Sequence, residues 1–580
     1  MRPLAEPCAR QARPPAAYWL LPLAVAVLRA IPFLATRLVA PPPDSFFPPF
    51  GYNPIDGFAY VGFIRQAAET GDWFLVNPHT TLPQDGRYFL PLFSLLGWVC
   101  RLTGLSPFTA FELARVPLIF AFFAVFWRFA GDFTPEPRLR RLAAWLVAFA
   151  GGLEILAHAT FSWWPARWQH SILAALLDDY GWNVFAAFYN PLWVAGLTLA
   201  LLALRPILRP AGGSGSAAAG SNSAPAPGTS DFGLRTSDIP SREGATAAPA
   251  RGGSAKQLAT AAGWRDAGRV AGWAVLTFLV HPYSGLGVLA IGVGVLLVRA
   301  VARAGWAGDF RLGAGLALAL AVMAGFSAWQ NQDAVFHATA RHFFGPHGLG
   351  VWWYPLGLGA TGVLAGWGSW RRLRAGVPGT RELLAWVGVA ALLHSSPWTS
   401  GYHFVYLLPL PLALLAAPAL DRLLRVFEEE VAPLRRQFGA AMVVALVFQS
   451  APAVTWRSTC LALARAFPTP VLEAVQTLAR EPADAVFTSP SLGTMLPAWS
   501  AHRVVVGHWF LTPDYAVWRD WYDAVMAGRV SAAEMLATLE RERVRWVLLP
   551  PRAPAELAAG LETAGECRDL AGGYRLFRLR

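Results

Sequence analysis

Apolar runs of about 17–25 residues recur from Tyr18 to Trp456, separated by short stretches rich in arginine. That is the length a helix needs to cross the hydrocarbon core of a bilayer. Runs at 18–38, 109–130, 142–160, 188–204, 267–281, 283–301, 312–330, 351–369, 382–396, 403–421 and 438–456 predict eleven spanning helices. The run 88–103 is different: it is short, carries Pro91 near its start and ends at Arg101. It predicts an interfacial helix on the outer leaflet. Beyond residue 470 the pattern changes. Short β-rich runs (Ala485–Thr488, Val504–His508, Trp546–Leu549, Tyr574–Leu579) alternate with helical patterns (Val471–Arg480, Tyr515–Ala527, Ala532–Arg541). Alternation of this kind predicts an α/β unit of about 110 residues. The expected fold class is an all-α polytopic membrane bundle of about eleven transmembrane helices with a small C-terminal α/β soluble domain.

Arginines orient the bundle, because short basic loops stay in the cytoplasm. The N-terminal Arg2, Arg10 and Arg13 start inside, and the first run has no small-residue cleavage site, so it reads as a retained anchor. Residues 40–108 then form a long outer segment. The basic loop at Arg128, Arg138, Arg140 and Arg141 is inside again, as are Arg205 and Arg209, Arg299 and Arg303, Arg371–Arg374 and Arg422–Arg436. Four segments follow: an N-terminal transmembrane module (1–205), a disordered cytoplasmic linker rich in Ala, Gly, Ser and Pro (206–266), further transmembrane helices (267–456) and an extracytoplasmic α/β domain (470–580).

Composition narrows the function classes. Charged residues are 14% of the chain and hydrophobic residues 55%, against about 25% charge in a soluble protein. The net charge of +12 sits in topology-setting loops, which argues against nucleic-acid binding. A single lysine, Lys256, beside dozens of arginines has the look of a GC-rich bacterial genome. No glycine-rich phosphate loop follows a strand in the C-terminal part. The four cysteines lack metal-ligand spacing; Cys460 and Cys567 are able to pair if both lie outside. No cofactor is expected, and a divalent metal stays open.

The outer segment carries the most informative chemistry. Asp56 and Tyr60 are one helical turn apart and share a face. An acid just beyond the first helix suits a general base taking a proton from an acceptor hydroxyl. Equally, Asp56 suits an N-cap for a helix over 57–69. Asp178 and Asp179 form an adjacent carboxylate pair, fit to bind a metal or orient a substrate, or simply to end a solvated loop. Glu154 and His158 lie one turn apart within a span, where ionisable groups face a cavity or a partner; Arg29 follows the same logic. Arg65, Arg87, Arg115, Arg341 and His342 are the outer-side cations for a lipid phosphate, or contacts to lipid headgroups. The tryptophans Trp163, Trp164, Trp168, Trp352 and Trp353 mark the membrane interface.

Three motifs stand in sequence: Asp56-x-x-x-Tyr60, Gly71-Asp72-Trp73 and Ala114-Arg115-Val116-Pro117. With one helix before them and an interfacial helix between, they resemble membrane glycosyltransferases of the GT-C fold. The likeness is to bacterial relatives of protein mannosyltransferases and of the lipid A aminoarabinose transferase. The resemblance implies a GT-C-like bundle in a bacterial inner membrane and a polyprenyl-phosphate-sugar donor. It implies a glycan, lipid or protein acceptor, with Asp56 as the base and Arg115 near the outer surface. The chain departs from the family in having Gly57 after Asp56 and in lacking a Lys-Pro-Pro element, near whose place Arg87 and Pro91-Leu92 stand. Two other classes remain: a transporter or lipid flippase, without the internal repeat such proteins commonly show, and an inactive relative serving in assembly through its C-terminal part.

Overall fold

In the computed structural model, which describes residues 13–48, 50, 53–152, 184–209, 252–302, 306–341, 354–396, 401–430 and 433–580, the chain enters helix α1 (Leu20–Leu38) through one 3-10 turn at Ala16–Trp19. Proline then opens helix after helix. Pro54 begins α2 (Pro54–Thr70), Pro91 begins α3 (Pro91–Thr103), Pro107 begins α4 (Pro107–Gly131) and Pro137 begins α5 (Pro137–Phe149). The first helical position needs no amide hydrogen, and the ring presets φ. Helix α2 stops at Gly71, whose φ of +80° is a left-handed value that glycine adopts without strain.

Among the described residues, five helices are long and apolar enough to cross a membrane: Ala16–Leu38, Pro107–Gly131, Pro191–Leu208, Pro282–Val301 and Gly308–Gln330. Gln437–Val447 and Ser450–Ala464, bent by 54° to each other, make six if the pair is counted as one span. Their outer faces are apolar and uncovered, as at Leu20, Leu23, Val27 and Leu34 of α1 or Leu318, Leu320 and Val322. Apolar surface on that scale needs lipid rather than water. This is a helical, multi-pass membrane protein. Arginines at the expected inner ends are paired: Arg205 with Asp132, Arg138 and Arg425 with Asp421, and Arg299 with Asp309 and Glu382.

Several elements differ from expectation. The run 438–456 is not one straight helix; the chain turns at Phe448–Gln449, and buried Gln449 and Ser450 sit at the turn. Helix resumes at Gly252 and continues to Val280, so residues 252–266 of the expected linker are helical. The run 403–421 begins as a 3-10 segment, Gly401–Leu407, and continues as Pro409–Glu430. A positive φ at Gly359 breaks Tyr354–Arg374 near its start. Cys460 and Cys567 are both free and exposed rather than paired.

Helix α3 is shorter than the spans, and it buries Phe93, Leu96 and Cys100 in a core of its own with α2. Its buried residues form a cluster separate from that of the bundle interior, with Leu192 packed against both. It contains Phe58, Val61 and Ile64 of α2 and Phe111 of α4, together with Val471, Val475, Val486, Leu492, Trp546 and Leu548 from the end of the chain. Main-chain pairing joins the same two regions: β1 (Ser45–Phe46) runs antiparallel to β4 (Phe467–Pro468). Between them, β2 (Phe74–Leu75) and β3 (Tyr88–Phe89) form a small antiparallel pair.

The C-terminal residues build a mixed sheet of five strands, β5 (Ala485–Phe487), β6 (Arg503–Val504), β7 (Val544–Leu549), β8 (Gly565–Asp569) and β9 (Arg575–Leu579), in the order β6-β5-β7-β9-β8. Strands β6, β5 and β7 are parallel; β7, β9 and β8 are antiparallel. Along β7 the side chains alternate. Trp546 and Leu548 face the core shared with α2, whereas Val547 and Leu549 face a separate core with Tyr522, Val525, Met535 and Leu561. Both faces are covered, so β7 reads as a nearly continuous apolar run.

Candidate active site

Asn53 shapes the first turn of α2. It is left-handed (φ +39°), and its side-chain oxygen accepts from the Asp56 amide at 3.5 Å. The helix therefore starts before Asp56 and is capped by Asn53, so the expected cap role of Asp56 over a helix at 57–69 does not hold. The Asp56 carboxylate is released for other partners. Asn53 Nδ2 donates to Asp56 Oδ2 at 2.8 Å. His508 Nε2 lies 2.9 Å from Asp56 Oδ1. The Asp56 side chain is 23% exposed and the His508 side chain 6%. A carboxylate with both oxygens held, yet open to solvent on one side, is fit to take a proton from an incoming hydroxyl.

His508 reaches Asp56 because β6 and the loop after it are sewn to the loop between β2 and β3. The Val504 amide donates to the Pro78 carbonyl at 2.9 Å, and Asn77 Nδ2 to the Leu511 carbonyl at 2.6 Å. Thr512 Oγ1 receives the Gly507 amide and donates to the His79 carbonyl, each at 3.0 Å. The His508 amide donates to His79 Nδ1 at 3.3 Å. Gly507 is required at the closest approach, since a Cβ there would lie 2.6 Å from the Gly493 carbonyl oxygen and 2.7 Å from His79 Nδ1. Burial pushes His79 well below the usual histidine range, and nearby His508 lowers it further, so His79 is neutral.

A second polar group lies between α1 and α4. Arg29 donates to Glu112 Oε2 at 2.5 Å, and Arg115 pairs with the same oxygen. Arg29 and Arg115 are 4% and 2% exposed, and Arg29 Nε, Arg115 Nε and Glu112 Oε1 have no partner among the described residues. The cluster carries two positive charges against one negative. Aromatic contacts link it to α2: Arg115 lies over the Phe111 ring, and Phe111 contacts Tyr60, one turn beyond Asp56. Tyr60 also packs on Phe93, and its hydroxyl accepts from Asn190 Nδ2 at 3.5 Å.

The other expected site residues are placed as follows. Arg65 is buried, donates to the Pro497 carbonyl and pairs with Glu69, so it ties α2 to the C-terminal residues. Arg87 donates to the Trp329 carbonyl, Gln332 and Asp85 and lies over the Trp329 ring, which anchors the hairpin to the helix Trp306–Gln330. Arg341 is exposed at the end of Ala334–Ala340 and contacts His337. The contacts of these three arginines lead to other parts of the chain than the Asp56 cluster. Glu154, His158, Asp178, Asp179 and His342 lie outside the described residues, as do the interface tryptophans named above. No group of three or more His, Cys, Asp or Glu is placed to hold a metal ion among the described residues. Three members of the cluster had no expected role: Asn53, His79 and His508. For Asn53 the signal was present, as Asn followed by Pro is a helix-start pattern. For the two histidines no local pattern announces the contact.

No family model matches the chain, and no curated protein does. Solved structures do resemble it. ArnT from Cupriavidus metallidurans, a protein also solved bound to undecaprenyl phosphate, is 14% identical over 97% of both chains, with a TM-score of 0.48. The archaeal oligosaccharyltransferase AglB from Archaeoglobus fulgidus, in complex with an inhibitory peptide and a dolichol-phosphate, is 13% identical over 95% of this chain and 73% of that one, with a TM-score of 0.45. Arabinofuranosyltransferase AftD from Mycobacteria is 15% identical over 97% of this chain and 40% of that one, with a TM-score of 0.47.

Proposed function

We propose that this chain is a membrane glycosyltransferase. It moves a sugar from a polyprenyl-phosphate-sugar donor to an acceptor hydroxyl on the outer side of a bacterial inner membrane. The observation that carries this reading is the Asp56 carboxylate, held at both oxygens and still open, at the start of the helix that follows α1. Asp56 accepts the proton of the acceptor hydroxyl. The acceptor oxygen bonds to the anomeric carbon as the bond from that carbon to the phosphate oxygen breaks, and the lipid phosphate leaves with the electron pair. The configuration at the anomeric carbon inverts. The excess positive charge of Arg29 and Arg115 over Glu112 attracts the phosphate, with Tyr60 and Phe111 between it and the base. Asp178 and Asp179 assist in orienting donor or acceptor. The chain crosses the membrane eleven times, with its N-terminus inside and its C-terminal α/β domain outside.

The test is Asp56→Asn in membranes supplied with tritium-labelled polyprenyl-phosphate hexoses and pentoses. General-base catalysis contributes about 100- to 10,000-fold. Transfer is expected to fall by at least about 100-fold; activity near that of the wild type removes Asp56 from the reaction.

A further inference from the structure

The loop that brings His508 to Asp56 also fixes which nitrogen of the ring carries hydrogen. The Phe510 amide lies 3.3 Å from His508 Nδ1 and donates to it. Nδ1 must then offer a lone pair, which puts the ring hydrogen of the neutral imidazole on Nε2. That hydrogen points at Asp56 Oδ1, 2.9 Å away. An imidazolium would set an Nδ1–H against the Phe510 N–H, donor against donor. The titratable group behind the ring is His79, itself an acceptor at Nδ1 and neutral. On the far side of the carboxylate stands the Asn53 amide.

We propose that His508 is the positioning residue for Asp56. As an Nε2–H donor from the C-terminal part of the chain, it holds the carboxylate aimed for the acceptor hydroxyl. It does not relay the proton, because Nε2 already bears one and Nδ1 is engaged by the main chain. The inference rests on Asp56 acting as the base. A donor to the charged form favours that form, and orientation of the reacting oxygen is worth large rate factors. Holding Asp56 from 452 residues away also makes an assembled outer region a condition for turnover.

The test uses the full-length protein in nanodiscs and the three variants His508→Ala, His508→Gln and Asp56→Asn. Two quantities are read: transfer from tritium-labelled polyprenyl-phosphate hexoses and pentoses as a function of pH, and titration of the Asp56 carboxylate by infrared difference against Asp56→Asn. His508→Ala is expected to lower kcat about 10- to 100-fold with donor KM nearly unchanged. It is also expected to move the acidic limb and the infrared midpoint to higher pH. His508→Gln, which retains an N–H donor at similar reach, is expected to recover most of the rate and return the midpoint. Full activity with an unmoved midpoint in His508→Ala overturns the proposal. Equal loss in both variants with an unmoved midpoint also overturns it, since His508 would then serve packing alone. If Asp56→Asn is as active as the wild type, glycosyl transfer through Asp56 fails, and the infrared titration still reports whether His508 governs the carboxylate.

Discussion

Asn53 serves two ends with one side chain, capping α2 with its oxygen and holding Asp56 with its nitrogen. Asn53→Gly separates these roles. Glycine accepts the left-handed φ without strain and is only a few tenths of a kcal/mol poorer than Asn as a cap. Hydrogen bonds to charged groups are worth about 1.5–3 kcal/mol. The variant is therefore expected to unfold at nearly the wild-type temperature while losing about 10- to 100-fold in turnover. A parallel loss of thermal stability and rate would show that Asn53 acts only through the helix end. The pairing of Asp56 with Tyr60 on one face was legible, because helical spacing alone decides it. The cap was legible too, but as Asn53-Pro54 rather than Asp56. His508 was not legible: the motif Val506-Gly507-His508-Trp509 is visible in the sequence, yet nothing local says which residue it meets.

At the scale of elements, α3 shows why length matters as much as hydrophobicity. Its apolar residues resemble those of a span, but the helix has only thirteen residues and one face buried on α2. The contact is close at Gly97, where a Cβ would lie 2.5 Å from Ala67 Cβ and 2.7 Å from the Ile64 carbonyl oxygen. Overpacking of this kind costs about 1–3 kcal/mol. Gly97→Ala is expected to lower the thermal midpoint by several degrees in detergent and to reduce transfer by tilting α2, which carries Asp56. An unchanged midpoint would mean that α3 is free to shift outward. Six of the eleven expected runs, counting the bent pair as one, were legible as spans by length and composition. Their paths were not: a hydropathy window sums side chains and is blind to direction, so the 54° bend before Ser450 left only the polar pair Gln449-Ser450 as a trace. The helical stretch from Gly252 lacks an apolar stripe, so its periodicity gave no sign of it.

At the scale of the whole molecule, orientation follows the site. Cys567 is exposed on β8 and Cys100 is buried, so a chain with Cys8→Ser and Cys460→Ser has one reactive thiol. A membrane-impermeant maleimide is expected to label it in intact spheroplasts. Labelling only after permeabilisation would put the C-terminal sheet inside, and Asp56 with it, because His508 joins the two. The division into a helical bundle and a C-terminal sheet could be read along the chain. The core shared by α2, α3 and residues 471–576 could not, since nothing local in any contributor names its partner and only the fold matches them. This shared core governs timing as well as shape. Chains grow at about 5–20 residues per second, so residue 508 follows residue 56 by about 20–90 s. During that interval α2 waits without the C-terminal side of its core and without the His508 contact to Asp56. If Asp56 is the base, the newborn protein is silent while it is being made, and transfer begins only when the last part of the chain arrives to complete the core around α2.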